Sequence, residues 1–79
     1  MQLDILTPDK KVFSGEVSAV SVPGAKGSFE VLNNHAPIIS TLEKGMVKLT
    51  GKDGKMEFEI TGGVIEVLNN KVIVLAESI

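Results

Sequence analysis

The sequence predicts an all-β domain, a small two-sheet sandwich, and three observations carry that prediction. Apolar residues recur at every second position, and no helical stripe of period 3.6 competes with them. Turn signals return about every 8–12 residues, the spacing of sandwiches and barrels. One long apolar segment changes its parity midway, as a strand does when it passes from one sheet to another. Leu3 and Ile5 face one way and Gln2 and Asp4 the other, which defines a first strand. Thr7-Pro8-Asp9-Lys10 is a turn, because proline presets its backbone dihedral and Asp tolerates the corner. In the next strand Phe13, Val17 and Ala19 share a face opposite Ser14, Glu16 and Ser18. At Val20 the parity flips, so that Val20 and Val22 point where Ser18 pointed.

Pro23-Gly24-Ala25-Lys26-Gly27 is a loop rich in breakers. Phe29-Glu30-Val31 alternates as a short strand, and Asn33-Asn34 forms a corner where asparagine can take positive φ. Ile38 and Ile39 open a strand that ends near Leu42. From Gly45, Val47 and Leu49 point inward and Lys48 and Thr50 outward. Gly51-Lys52-Asp53-Gly54 supplies hairpin-turn residues, after which Met56, Phe58 and Ile60 return on the core face and Glu57 and Glu59 face solvent. Gly62-Gly63 breaks that strand through a bulge or a close backbone approach. Val64–Leu68, the turn Asn69-Asn70 and Lys71–Ala76 make the last hairpin. No repeat or linker interrupts residues 1–79, which read as one domain.

Composition narrows the function classes. A chain of 79 residues buries a small core, and nature usually reinforces such domains with disulfides, a metal or a partner. Cysteine is absent and one histidine stands alone, so neither a disulfide nor a thiolate metal site is available and a partner is the remaining support. The net charge of −2 and pI near 5.2 lack the basic stripe that a nucleic-acid binder uses. No apolar run reaches the roughly 18 residues of a membrane span, and the opening Met1-Gln2-Leu3-Asp4 reads as structured sequence rather than a signal or transit peptide. These features suit a cytosolic, bacterial type of domain.

Candidate chemistry is sparse. His35 has no serine or acid near it in a recognised pattern, so it reads as a corner or interface residue. Glu57 and Glu59 share the polar face of a hairpin strand. The Pro23–Gly27 loop lacks the Gly-Lys-Ser/Thr ending and following helix of a phosphate loop. No cofactor site emerges. The last hairpin, by contrast, carries more aliphatics than one buried face requires: Val64, Leu68, Val72 and Val74 on one parity of their strands, and Ile65, Val67, Ile73 and Leu75 on the other. Either another element covers the outer face or that face is an interface.

The run Gly27-Ser28-Phe29-Glu30-Val31-Leu32-Asn33-Asn34-His35-Ala36-Pro37, followed by Leu42-Glu43-Lys44-Gly45, resembles the centre of the epsilon subunits of rotary ATP synthases. Further segments match in order: Leu3–Pro8 leading to Val12-Phe13-Ser14-Gly15-Glu16-Val17, the glycines Gly24 and Gly27, Thr61-Gly62-Gly63-Val64-Ile65-Glu66-Val67, and Val72–Glu77. Asn33-Asn34 replaces the family's usual Pro-Gly, and Glu30 its usual glycine. The resemblance implies a sandwich of about ten short strands. It implies a non-catalytic rotor part of the central stalk that binds the gamma subunit and the membrane ring of c subunits, at the cytoplasmic face of a bacterial inner membrane, and couples proton flow to ATP synthesis. Thr7, His35 and Ser40 then resemble gamma-facing positions, joined by Val72 and Val74 from the aliphatic surplus, and Gly27, Ser28, Phe29 and Glu30 resemble the part that meets the c-ring. Most members continue into a two-helix hairpin that can inhibit hydrolysis or bind ATP. This sequence stops at Ile79, so the resemblance is to a short form without that hairpin. The alternative is a free-standing β-domain that binds a peptide or ligand along a sheet edge; a small enzyme built on His35 and a carboxylate is a third case.

Overall fold

The computed structural model describes residues 1–79 as eight strands and no helix: β1 (Gln2–Leu6), β2 (Lys11–Val22), β3 (Phe29–Leu32), β4 (Ile38–Leu42), β5 (Gly45–Gly51), β6 (Gly54–Ile60), β7 (Gly63–Leu68) and β8 (Lys71–Ala76). The count is eight rather than about ten, and the twelve-residue β2 serves both sheets. Its first half pairs with β1, and its second half, from Val17, pairs with β5 and β3 on its two sides. The register slips between Val17 and Ala19, where the sequence changes parity. That slip lets Val17, Val20 and Val22 all point inward along one continuous strand.

Sheet I therefore runs β4-β7-β8-β1-β2, and sheet II runs β3-β2-β5-β6. All neighbours are antiparallel except β1 and β8, which are parallel with Leu3 beside Val72 and Ile5 beside Val74. The core lies between the sheets. Leu3, Ile5, Ile65, Val67, Val72 and Val74 from sheet I meet Val20, Val31, Val47, Leu49 and Ile60 from sheet II, and each of these is fully or almost fully buried. The shortest dimension, 18 Å, fits two such layers. Phe13 and Phe58 close one open edge, with ring centroids 6.4 Å apart and planes tilted by 56°. Met56 has the inward parity of β6 yet is 47% exposed, because the outer end of this edge strand overhangs the core.

Two turns rest on asparagine. Asn69 and Asn70 sit at φ 52° and 60°, the double left-handed conformation that a two-residue hairpin with the native twist requires. Asn34, at φ 64°, turns the chain between β3 and β4, and its N–H donates to Oδ1 of Asn70 at 2.8 Å. Gly63 marks a close backbone approach: a Cβ there would lie 2.2 Å from the carbonyl oxygen of Leu75. Gly24 is confined by Phe29, whose ring would lie 2.8 Å from a Cβ.

Candidate functional site

Strand alternation sends every second residue of sheet I away from the core, and the ladder aligns these residues in rows. In one row Thr41, Val64, Leu75 and Leu6 stand side by side across β4, β7, β8 and β1. In the next stand Ile39, Glu66, Ile73, Asp4 and Ser14, the last from β2. A third holds Leu68, Lys71, Gln2 and Glu16. The left of this face is aliphatic: Ile39 is 76% exposed, Leu68 and Leu75 are each 51% exposed, and Val64 is 37% exposed. Leu6 and Ile73 continue the patch at half-buried positions. Contiguous outward aliphatics of this kind mark an interaction surface rather than a solvated one.

A polar flank borders the patch. The Asp4 carboxylate accepts hydrogen bonds from Ser14 Oγ at 2.6 Å and from Gln2 Nε2 at 3.2 Å. The serine hydroxyl lowers the carboxyl's pKa most; partial desolvation opposes it, and Gln2 and the charges of Lys11 and Lys71 add to the lowering. At the corner of the face, the amino group of Met1 is held by Glu16 Oε2, by the Val17 carbonyl at 3.0 Å and by Asn33 Oδ1 at 2.7 Å.

The residues singled out from sequence do not gather in one place. Val72 and Val74 are fully buried and face inward, so their assignment to an interface is corrected: they are core, and the aliphatics that face outward on that hairpin are Val64, Leu68, Ile73 and Leu75. The physical reason is the turn. With Asn69-Asn70 as a two-residue loop, Leu68 pairs with Lys71, which puts Val67 beside Val72 and Ile65 beside Val74 on one face. Thr7 follows β1 at the Leu75 end of sheet I, and its backbone N–H donates to the Lys10 carbonyl at 2.9 Å. His35 lies at the other end, in the β3–β4 corner beside the last hairpin. Its Nδ1 donates to the neighbouring Ala36 carbonyl at 2.8 Å, and no hydroxyl or carboxylate bonds to the ring. That geometry offers no nucleophile or orienting acid for a general base.

Ser40 lies on the other side of β4 from Ile39, in a shallow cleft of about 400 Å³ shared with Gly24, Gly27, Ser28, Phe29 and Ile38. The loop that carries these glycines is tied to the end of β4 by Ala25 N–H to Thr41 O at 3.0 Å and Glu43 N–H to Pro23 O at 2.9 Å. Gly27 and Ser28 form its exposed tip, Phe29 is half-buried against the core behind it, and Glu30 turns onto the outer face of sheet II beside Ser21. Leu6 and Ile39 join the outward patch unannounced by the sequence, since each belongs to a strand whose place beside the last hairpin is set by long-range pairing.

Comparison with known proteins adds the lineage. The model of the ATP synthase Delta/Epsilon chain beta-sandwich domain matches residues 1–79. The ATP synthase epsilon chain of Chlorobaculum tepidum is 46% identical over 78 residues, 98% of this chain and 89% of that one. Its counterpart in Chlorobium limicola is 44% identical, over 99% of this chain and 90% of that one. The epsilon chain of Pelotomaculum thermopropionicum is 43% identical over 98% of this chain, which spans 58% of that relative's length. Among solved structures, a chain of the Euglena gracilis mitochondrial ATP synthase superposes with a TM-score of 0.89 at 23% identity, over 96% of this chain and 49% of that one. A chain of the Tetrahymena thermophila mitochondrial ATP synthase central stalk and c-ring superposes with a TM-score of 0.80 at 20% identity, over 95% of this chain and 61% of that one. At those identities the two structures bear on the fold, a β-sandwich in each case. With a family model matched from end to end and relatives above 40% identity over nearly the whole chain, this protein belongs to the family of ATP synthase epsilon chains.

Proposed function

We propose that this chain is a non-catalytic rotor subunit of a proton-translocating ATP synthase, linking the gamma subunit to the c-ring at the cytoplasmic face of the membrane. The observation that carries the reading is the outward aliphatic patch of sheet I, Leu6, Ile39, Val64, Leu68, Ile73 and Leu75, on a domain whose family membership is established. A rotor part must hold its neighbour through many turns, and a broad aliphatic face supplies the non-directional attraction for that. Gamma covers this face, with Thr7 and His35 near its two ends. Gly27 and Ser28 meet the c-ring at the tip of their loop, with Phe29 packed behind them and Glu30 and Ser40 on its flanks. Free energy passes through the domain as torque between partners, and bond-making chemistry takes place elsewhere in the complex.

The test is size-exclusion chromatography of the chain with the gamma subunit of the same organism. Co-elution is expected, and it is lost in the double variant Val64→Lys/Leu75→Lys, whose circular dichroism stays that of the parent. No complex at micromolar concentration would overturn the reading.

A further inference from the structure

We infer that a hollow on the outer face of sheet I seats the side chain of an arginine or lysine from the protein that covers it. The inference rests on the rotor reading, because it requires the face to be covered by gamma. The hollow, of about 380 Å³, is bounded by Pro37, Ile38, Ile39, Glu66, Val67 and Leu68. Glu66 is its one charged group. Along β7 the residues two before and two after Glu66 on this face are Val64 and Leu68. Across the ladder its partners are Ile39 on β4 and Ile73 on β8. The carboxylate thus has aliphatic side chains before and after it on its own strand and directly opposite it on both neighbouring strands, with Lys71 and Thr41 at the diagonals.

No cation answers it within the chain. The salt bridge present joins the Met1 amino group to Glu16, and Lys71, on the neighbouring strand, is the register partner of Leu68 in the next row. Beyond Ile73 stands Asp4, a second carboxylate, already hydrogen-bonded by Ser14 and Gln2. A partner that covered this face with apolar groups alone would strip water from Glu66 and leave it unpaired, an arrangement that buried interfaces avoid. A basic side chain removes the conflict. Its aliphatic stem lies along Pro37, Ile39 and Leu68, and its charged head meets the carboxylate. A metal ion is a poorer occupant, because one carboxylate among aliphatics offers too few oxygen ligands.

The experiment is titration calorimetry of this chain against the gamma subunit at low and high potassium chloride, for the parent, Glu66→Gln and Glu66→Leu. Thermal melts of each variant alone confirm the fold. Expected are parent binding that weakens with salt, and a loss of roughly 10- to 100-fold in both variants at low salt, with a flatter salt dependence. Glu66→Leu is the decisive arm: a carboxylate buried without a cation would bind more tightly once replaced by leucine. Parent binding that is retained while Glu66→Leu equals or exceeds it would overturn the cation pairing and leave the rotor reading standing. Failure of the parent to bind gamma would overturn both.

Discussion

The two outer faces of this sandwich are built by the same alternation and finish as opposites. On sheet I the outward positions of β7 and β8 carry Val64, Leu68, Ile73 and Leu75, with Glu66 among them and Lys71 at the turn end. On sheet II the corresponding rows read Glu30, Ser21, Lys48 and Glu57 across β3, β2, β5 and β6, then Leu32, Ala19, Thr50 and Lys55. The second face mixes small residues with both signs of charge, with Leu32 and Met46 exposed singly among them. Its exposed edge strand β6 shows Lys55, Glu57 and Glu59, which discourage pairing with a stray strand. In a chain of 79 residues, whose aliphatics are needed inside, six gather on the outer face of sheet I, while sheet II shows Leu32 and Met46 singly, on different strands and in different rows, a contrast that favours the first face as the surface a partner would cover.

The comparison breaks most violently when a charge moves from the outside of β8 to the inside. Val74→Lys places an ammonium in a fully buried site beside Ile5 and Ile65, and should cost upward of about 4 kcal/mol, enough to unfold a domain of this size. Loss of the cooperative melt by circular dichroism checks it. Next in size is the outward pair. Val64→Lys/Leu75→Lys should leave the melting curve nearly in place, because neither residue is in the core. Its affinity for gamma should fall by about 100-fold or more, the scale of a lost interface hot spot, as calorimetry would read.

Smaller effects sharpen the polar side. Lys48→Glu sets like charges directly opposite Glu57 and one strand from Glu30 across Ser21, so it should destabilise the domain by about 0.2–1 kcal/mol without changing gamma affinity. Asp4→Asn is the least disruptive. The folded Asp4 carboxyl has a lowered pKa, so it contributes stability that is present above the unfolded pKa and fades as pH falls through the folded value. The group is close to solvent, which weakens the contribution. Parent and Asp4→Asn melts should therefore differ slightly at neutral pH and converge in strong acid.

Much of the fold was legible because its signals are local. Asn69-Asn70 and the Asp53-Gly54 pair announced their hairpins, the parity change near Val20 announced the strand shared by both sheets, and Gly62-Gly63 announced a close backbone approach. Parity alone could not say which face of the last hairpin was inside. Grouping Val72 and Val74 by parity with Val64 and Leu68, and taking those two valines as interface positions, crossed the turn with the wrong register. Counting outward from the two-residue loop pairs Val67 with Val72 and would have placed the valines of β8 in the core. The parallel contact of β1 with β8, which adds Leu6 to the patch, had no local signature, since it joins the two ends of the chain. The same holds for Ile39, which the pairing of β4 with β7 brings beside Glu66.

The central claim is that gamma docks on the outer face of sheet I. The most direct measurement compares gamma affinity for the parent, Leu75→Lys and Lys48→Glu by calorimetry under one set of conditions, with all three shown to be folded. The account predicts that Leu75→Lys loses most of the binding while Lys48→Glu keeps parent affinity. Undiminished binding by Leu75→Lys, with loss in Lys48→Glu, would contradict it and move the interface to sheet II.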